Sequence, residues 1–135
     1  MATIHKEALI DAGADHAWSA VRDIGAIHQR LAPGFVLDTR LESADLRVVT
    51  FANGAVARER IVTVDDQARR LAYAIVESGA VHHSASIQII AEGAQRCRLV
   101  WIADLLPDTL APRFDSMMQQ GTDLMQRTLR AAAAG

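Results

Sequence analysis

The sequence has few of the features that mark secreted, metal-binding or membrane proteins. Cys97 is the only cysteine among 135 residues, which excludes a disulfide framework and a cysteine metal cluster and indicates a reducing compartment. No apolar run approaches the roughly 20 residues that a membrane-spanning helix needs. Residues 1–10 include Lys6 and Glu7 and lack the apolar stretch of a signal peptide. We therefore expect a soluble cytoplasmic protein.

The sequence also lacks an excess of positive charge. Its 14 lysine and arginine residues are balanced by 16 aspartate and glutamate residues, whereas nucleic-acid-binding surfaces usually carry clustered basic residues. No phosphate loop, dinucleotide fingerprint, zinc signature or nucleophile elbow is present. We therefore expect no nucleic-acid partner and no metal site.

The patterns that are present predict a single domain, residues 1–135. Hydrophobic periodicity and turn residues predict a strand at 3–10, helices at 14–23 and 24–31, strands at 35–42, 46–51, 56–64, 70–77, 83–91 and 96–105, and a helix at 107–134. Short connections such as Asn53-Gly54 favour an antiparallel meander, and Asp23 is suited to cap the second helix. We expect an α+β fold with one long helix lying on the sheet.

Strict alternation predicts the inner face of the last two strands. The inward sets are His83, Ala85, Ile87 and Ile89 in one strand and Cys97, Leu99, Trp101 and Ala103 in the next. The outward set of the last strand includes Val100 and Ile102, and Val62 and Val64 are predicted on the outer face of the fourth strand. This is more apolar outer surface than a monomer usually has, so a homodimer is a possible partner arrangement.

The last helix has one apolar side. At 100° per residue this side contains Leu110, Phe114, Met117, Gly121, Leu124, Met125 and Thr128. Gly121 is unusual there, because glycine in a helix costs about 1 kcal/mol relative to alanine. Two explanations remain open: the glycine leaves space for a ligand, or the ring of Trp101 or Phe35 packs directly against it.

Several local stretches together carry a family resemblance: residues 14–18 with Asp23, 31–34, 58–62, 69–73, 98–101 and 106–107. In these stretches the chain resembles the START-type helix-grip superfamily (SRPBCC), in particular its polyketide cyclase/dehydrase branch. The resemblance implies a helix-grip fold, in which a seven-stranded curved antiparallel sheet wraps around a long C-terminal helix and two short helices follow the first strand. It also implies a cavity for an apolar or aromatic small molecule, such as a lipid, isoprenoid or polyketide, and no obligate cofactor.

Two residues are candidates for acid–base chemistry in such a cavity. Glu59 lies between Arg58 and Arg60, and turning one carboxylate inward costs less than burying two guanidinium groups. His83 is in register with the inward apolar residues, whereas His82 points to the opposite face. Each residue also has a simpler interpretation. Glu59 could be an edge-of-sheet carboxylate paired with a nearby arginine, and His83 could be a core histidine with satisfied hydrogen bonds.

Other residues are candidates for ligand binding, although ordinary core packing also explains most of them. His28 lies on the short helix at the end where a helix-grip cavity commonly opens, and the remaining candidates are aromatic, methionine or glycine positions: Phe35, Tyr73, Trp101, Phe114, Met117, Met118, Gly121 and Met125. Three functions follow as hypotheses: binding of an apolar small molecule, a cyclase or dehydratase using Glu59 or His83, and an interaction module that dimerises through its outer sheet face.

Overall fold

The helix-grip prediction is confirmed by a computed structural model, which describes residues 2–77 and 79–134. Its strands are β1 (Ala2–Ile10), β2 (Val36–Ser43), β3 (Leu46–Phe51), β4 (Val56–Asp65), β5 (Arg70–Val76), β6 (His82–Ala91) and β7 (Cys97–Leu106). Its helices are α1 (Ala14–Val21), α2 (Ile27–Arg30) and α3 (Ala111–Ala134), the last preceded by a 3₁₀ turn at Asp108–Leu110. The seven strands form one antiparallel sheet in the order β1-β7-β6-β5-β4-β3-β2.

The turn between β3 and β4 shows how local sequence sets the meander. Gly54 has a φ of +88°, a left-handed conformation that glycine adopts without steric cost. The Ala55 amide donates to the side-chain oxygen of Asn53 at 2.9 Å, and the Phe51 amide donates to the Ala55 carbonyl at 2.8 Å. Residues equidistant from Asn53 therefore lie opposite each other in β3 and β4.

The inner faces predicted for β6 and β7 are confirmed, since both inward sets are buried. The outer-face prediction for Val64 is wrong. A register shift between Ile61 and Thr63 places Val64 opposite Leu71, and Val64 packs against the core. Val62 remains outward and 67% exposed. Without Val64 the apolar area of the outer sheet face is smaller than predicted, and the homodimer stays a prediction.

Helix α3 presents a slightly different face to the core from the one predicted. Its buried residues are Met118, Gly121, Thr122, Met125 and Leu129, whereas Met117, Leu124 and Thr128 are only half-buried. The helix packs mainly on β1 and β7, at one side of the sheet. The buried face is therefore shifted by about one position along the helix from the predicted one, and Met117 lies at its border.

The two short helices close one end of the sheet. Helix α1 packs on β6 and β7, and α2 packs on β2. The predicted cap of α2 by Asp23 is wrong: this helix begins after Ala26 without a side-chain cap, and the Asp23 carboxylate accepts a hydrogen bond from Arg30 at 3.0 Å. Across residues 2–77 and 79–134, no helix has the length and hydropathy needed to cross a membrane.

Candidate functional site

A cavity of about 670 Å³ lies between the concave face of the sheet and helix α3. Helix α3 packs mainly on β1, and α1 packs on β6 and β7. The cavity therefore lies over the inward residues of β3, β4 and β5 and extends to His83 and Ile87 of β6 and to Trp101 and Ala103 of β7. Exposed residues of α3, including Arg113 and Gln120, and the β3–β4 turn around Asn53 line the cavity toward solvent. The site is thus produced by a helix that covers only part of the sheet.

Most of the residues proposed from the sequence meet in this cavity. Its lining includes Phe35, Glu59, Tyr73, His83, Trp101, Phe114, Met117, Met118 and Met125. Neither His28 nor Gly121 lines it. His28 is half-buried in α2, and its Nδ1 has no hydrogen-bond partner within the described part of the chain.

Gly121 provides space for two aromatic rings. A Cβ built on this residue would lie 3.0 Å from Cζ3 of Trp101 and 3.3 Å from Cε2 of Phe35, closer than carbon atoms normally approach. Of the two explanations offered by the sequence, close packing is therefore the correct one. Gly121 therefore does not support a ligand site. The observation that supports ligand binding is the cavity.

Arg47 and Glu59 form a buried ion pair in the wall of the cavity. They lie directly opposite each other on β3 and β4, Arg47 Nε donates to Glu59 Oε1 at 2.8 Å, and the residues are only 3% and 5% exposed. Glu59 is thus inward, as predicted, and is also paired with an arginine. Two charges removed from water are costly unless they pair closely, and this contact supplies that pairing.

Arg47 is the functional candidate that the sequence reasoning missed. A hairpin centred on Asn53 places Arg47 and Glu59 at equal distances on either side, and therefore opposite each other. A two-residue turn at Asn53-Gly54 would instead pair Arg47 with Arg60, so the turn signal alone does not identify the pair. Arg47 is the only charged residue in the otherwise mostly apolar strand β3, and this strand gave no other sign of an ion pair with Glu59.

Tyr73 connects the ion pair to the aromatic part of the cavity. Its hydroxyl oxygen accepts a hydrogen bond from Trp101 Nε1 at 3.0 Å, and the Arg47 guanidinium lies 5.3 Å from the centre of its ring, within the range of cation–π attraction. Burial, and secondarily the negative charge of Glu59, raise the pKa of Tyr73 far above its usual value. The phenol therefore remains protonated at neutral pH.

The side chain of His83 accepts a hydrogen bond from the backbone of β5, just beyond the last backbone pair between β5 and β6. The two strands pair from Arg70 with Gln88 to Tyr73 with Ala85, and two residues further along each strand the Ile75 amide donates to His83 Nδ1 at 3.0 Å. Burial, with a smaller contribution from His82, lowers the pKa of His83 to about 4. The ring lies against Tyr73 and Phe114, with centroid distances of 5.9 Å and 5.7 Å.

These positions limit the chemistry of the site. Glu59 lies opposite Ile75 on β5, and His83 lies on β6 beyond it, so two strand spacings, roughly 10 Å, separate their main chains. The two residues do not form a hydrogen-bonded acid–base dyad. Among the residues that the structure describes, no three histidine, cysteine or acidic side chains are grouped so that they could hold a metal ion.

Comparison with known families and structures agrees with this architecture. The profile of a family described as "Polyketide cyclase / dehydrase and lipid transport" matches residues 1–134. No curated protein matches the chain.

Solved structures that resemble the chain include an uncharacterised protein from Bacillus thuringiensis, with a TM-score of 0.84 and 15% identity over 95% of this chain and 98% of that one. The di-domain ARO/CYC protein BexL of the BE-7585A biosynthetic pathway has a TM-score of 0.83 and 15% identity over 96% of this chain and 46% of its own length. A START superfamily protein from Mycobacterium smegmatis has a TM-score of 0.76 and 10% identity over 98% of this chain and 97% of that one. At these identities the structural likeness concerns the fold.

Proposed function

This chain belongs to the polyketide cyclase/dehydrase and lipid transport family, and we propose that it binds an apolar or aromatic small molecule between its sheet and helix α3. The observation that carries the proposal is the cavity of about 670 Å³. Ligand pockets typically have volumes of roughly 300–1,000 Å³, mostly apolar walls and a few placed polar groups. The cavity has this composition: aromatic and methionine side chains surround Arg47, Glu59, Tyr73 and His83.

Two alanines on neighbouring strands allow a matched test of binding. Ala57 lines the cavity from β4, whereas Ala72 on β5 lies between the inward residues Leu71 and Tyr73 and therefore faces the other side of the sheet. Binding is measured by the fluorescence of 1-anilinonaphthalene-8-sulfonate and by native mass spectrometry with fatty acids and polycyclic aromatic compounds. Unfolding curves of both variants check that they remain folded.

Ala57→Phe is expected to reduce binding at least tenfold by occupying the cavity, and Ala72→Phe is expected to leave binding unchanged. Equal binding by the two variants would place the ligand elsewhere. If the wild-type protein binds none of these compounds, the proposed function is wrong.

A cyclase or dehydratase is the second candidate, and Glu59 is the residue that favours it. One of its carboxylate oxygens is bonded to Arg47 while the residue lines the cavity, so the ion-paired carboxylate is placed to accept a proton from a bound substrate. Full turnover of a poly-β-ketone substrate by a folded Glu59→Gln variant would remove Glu59 from this role. Absence of turnover by the wild-type protein would leave binding as the function.

A further inference from the structure

The hydrogen-bond directions in the cavity wall can be assigned at two side chains. A backbone N–H can only donate, so the Ile75 amide at 3.0 Å requires a lone pair on His83 Nδ1. A neutral imidazole then carries its proton on Nε2. Burial keeps this histidine neutral at pH 7, since its pKa is lowered to about 4. No residue that the structure describes is hydrogen-bonded to Nε2.

The same reasoning applies to Tyr73. An indole nitrogen is a donor only, so Trp101 Nε1 at 3.0 Å uses a lone pair of the Tyr73 oxygen. The phenolic hydrogen is then free to point elsewhere, and within residues 2–77 and 79–134 no hydrogen bond from it is found. Two side chains of the sheet wall therefore offer hydrogen-bond donors for which the described residues supply no acceptor.

The two rings that carry these donors lie next to each other on neighbouring strands of the sheet. The Tyr73 and His83 rings have centroids 5.9 Å apart, and both residues line the cavity. The facing wall from α3 contains the apolar side chains of Phe114, Met117 and Met118, and the exposed residues Arg113, Ser116 and Gln120 line its solvent side. An apolar ligand without an acceptor atom would displace water from both donors and leave them unpaired, which is unfavourable for buried polar groups.

We propose that His83 and Tyr73 form a donor pair that determines specificity by selecting ligands with an acceptor oxygen, such as a ketone, quinone or ether, on an otherwise apolar frame. The inference rests on the proposed binding function and narrows its ligand class. It also gives His83 a different role from the catalytic one considered above. The Nδ1 lone pair is occupied by the Ile75 amide, so His83 binds the ligand as a donor and does not take a proton from it.

A pair of probes that differ by one carbonyl oxygen tests this selection. Fluorene and 9-fluorenone have nearly the same size and shape, and their affinities are compared by displacement of 1-anilinonaphthalene-8-sulfonate. We expect the wild-type protein to prefer 9-fluorenone by about tenfold or more. Tyr73→Phe and His83→Phe are expected each to reduce that preference severalfold. His83→Gln retains an N–H donor and should retain most of it, and His82→Phe is the control at an exposed neighbour.

A second measurement does not depend on a variant or a ligand. Imidazole ¹⁵N NMR of the wild-type protein at pH 7 should show His83 as the neutral tautomer with its proton on Nε2. A proton on Nδ1, or equal affinity for fluorene and 9-fluorenone, overturns the inference while binding itself stands. If neither probe displaces the dye and the dye itself does not bind, the proposed function fails and the inference fails with it.

Discussion

The two halves of the concave sheet face have different neighbours. On β7 the inward residues Leu99 and Leu105 are fully buried in the half that α1 and α3 cover. On β3 and β4 the inward positions include Arg47 and Glu59, which line the cavity. The same alternation of inward and outward residues thus produces a filled core in one half and a polar-walled cavity in the other.

This difference shows where the fold tolerates buried charge. In the filled half the buried residues are almost all apolar and none is charged, so a charged group there would lack an ionic partner, which is strongly unfavourable. In the cavity half, Arg47 and Glu59 pair at 2.8 Å, and space remains beside them. A buried ion pair is weak evidence for stability, because well-packed apolar residues often do as well or better. Its presence beside a cavity therefore favours a role in binding or chemistry.

The largest expected effect comes from breaking that ion pair. Arg47→Met leaves the Glu59 carboxylate buried without its cation, and we expect the free energy of unfolding to fall by about 3–5 kcal/mol. Arg60→Met is the matched control on β4, since Arg60 pairs with Asp45 at an exposed site, and about 1 kcal/mol or less is expected there. Urea unfolding at pH 7 measures both. Equal losses in the two variants would contradict the distinction between buried and exposed pairs.

Acid should destabilise the protein through His83, a residue of β6 that lines the cavity. The pKa of His83 is lowered from 6.5 to about 4 in the folded protein, so as the pH falls through this interval the unfolded chain takes up the proton first. Up to about 3 kcal/mol of stability is therefore lost between pH 6.5 and pH 4. Urea unfolding at pH 7 and pH 4.5 should show a loss in the wild-type protein that is smaller in His83→Gln. The exposed-site variant His82→Gln should still show that loss. An equal acid loss in His83→Gln would exclude this source.

Two leucines compare the halves directly. Leu99 lies in the filled core and Leu71 lines the cavity, and their exposures are 0% and 1%. Leu99→Ala creates a new void, whereas Leu71→Ala enlarges an existing one, so we expect the Leu99 variant to lose about 1–2 kcal/mol more. Thermal or urea unfolding of the two proteins gives the difference. A larger loss for Leu71 would mean that the cavity half is as tightly packed as the core.

Gly121→Ala should have the smallest effect. The added methyl group improves helix propensity by about 1 kcal/mol but meets Trp101 at 3.0 Å, and that ring is held by its bond to Tyr73. We expect a net loss of about 1 kcal/mol, of the size that overpacking commonly causes. Gln120→Ala, at an exposed position of the same helix, should be neutral or stabilising. A gain of stability in Gly121→Ala would show that Trp101 moves freely.

Sequence patterns predicted the fold closely because most of its signals are local. The Asn53-Gly54 turn and the alternation in β6 and β7 each depend on residues that are neighbours along the chain. The errors arose where a distant contact or a register shift intervened. Val64 was assigned to the wrong face because a shift between Ile61 and Thr63 changes the alternation, and Asp23 pairs with Arg30 instead of capping α2.

The candidate site was predicted less completely, for a related reason. Inward register placed Glu59, His83 and Trp101 in the cavity wall, as the structure has them. Register alone gave no reason to connect Arg47 with Glu59 across two strands, or to expect the Ile75 amide on His83 Nδ1. The apolar face of the last helix suggested Gly121, and the resemblance to the helix-grip superfamily suggested His28, but neither residue lines the cavity.

By itself, the sequence determined the order of strands and helices and the inward or outward direction of most side chains, because both depend on periodicity and turn residues. Only the tertiary structure decided that α3 packs mainly on β1 and β7, and therefore that β3, β4 and β5 face a cavity. The position of a helix across a sheet depends on how whole surfaces fit together. At Gly121 this fit distinguishes ring packing from ligand space, because the Trp101 and Phe35 rings occupy the space left by the glycine.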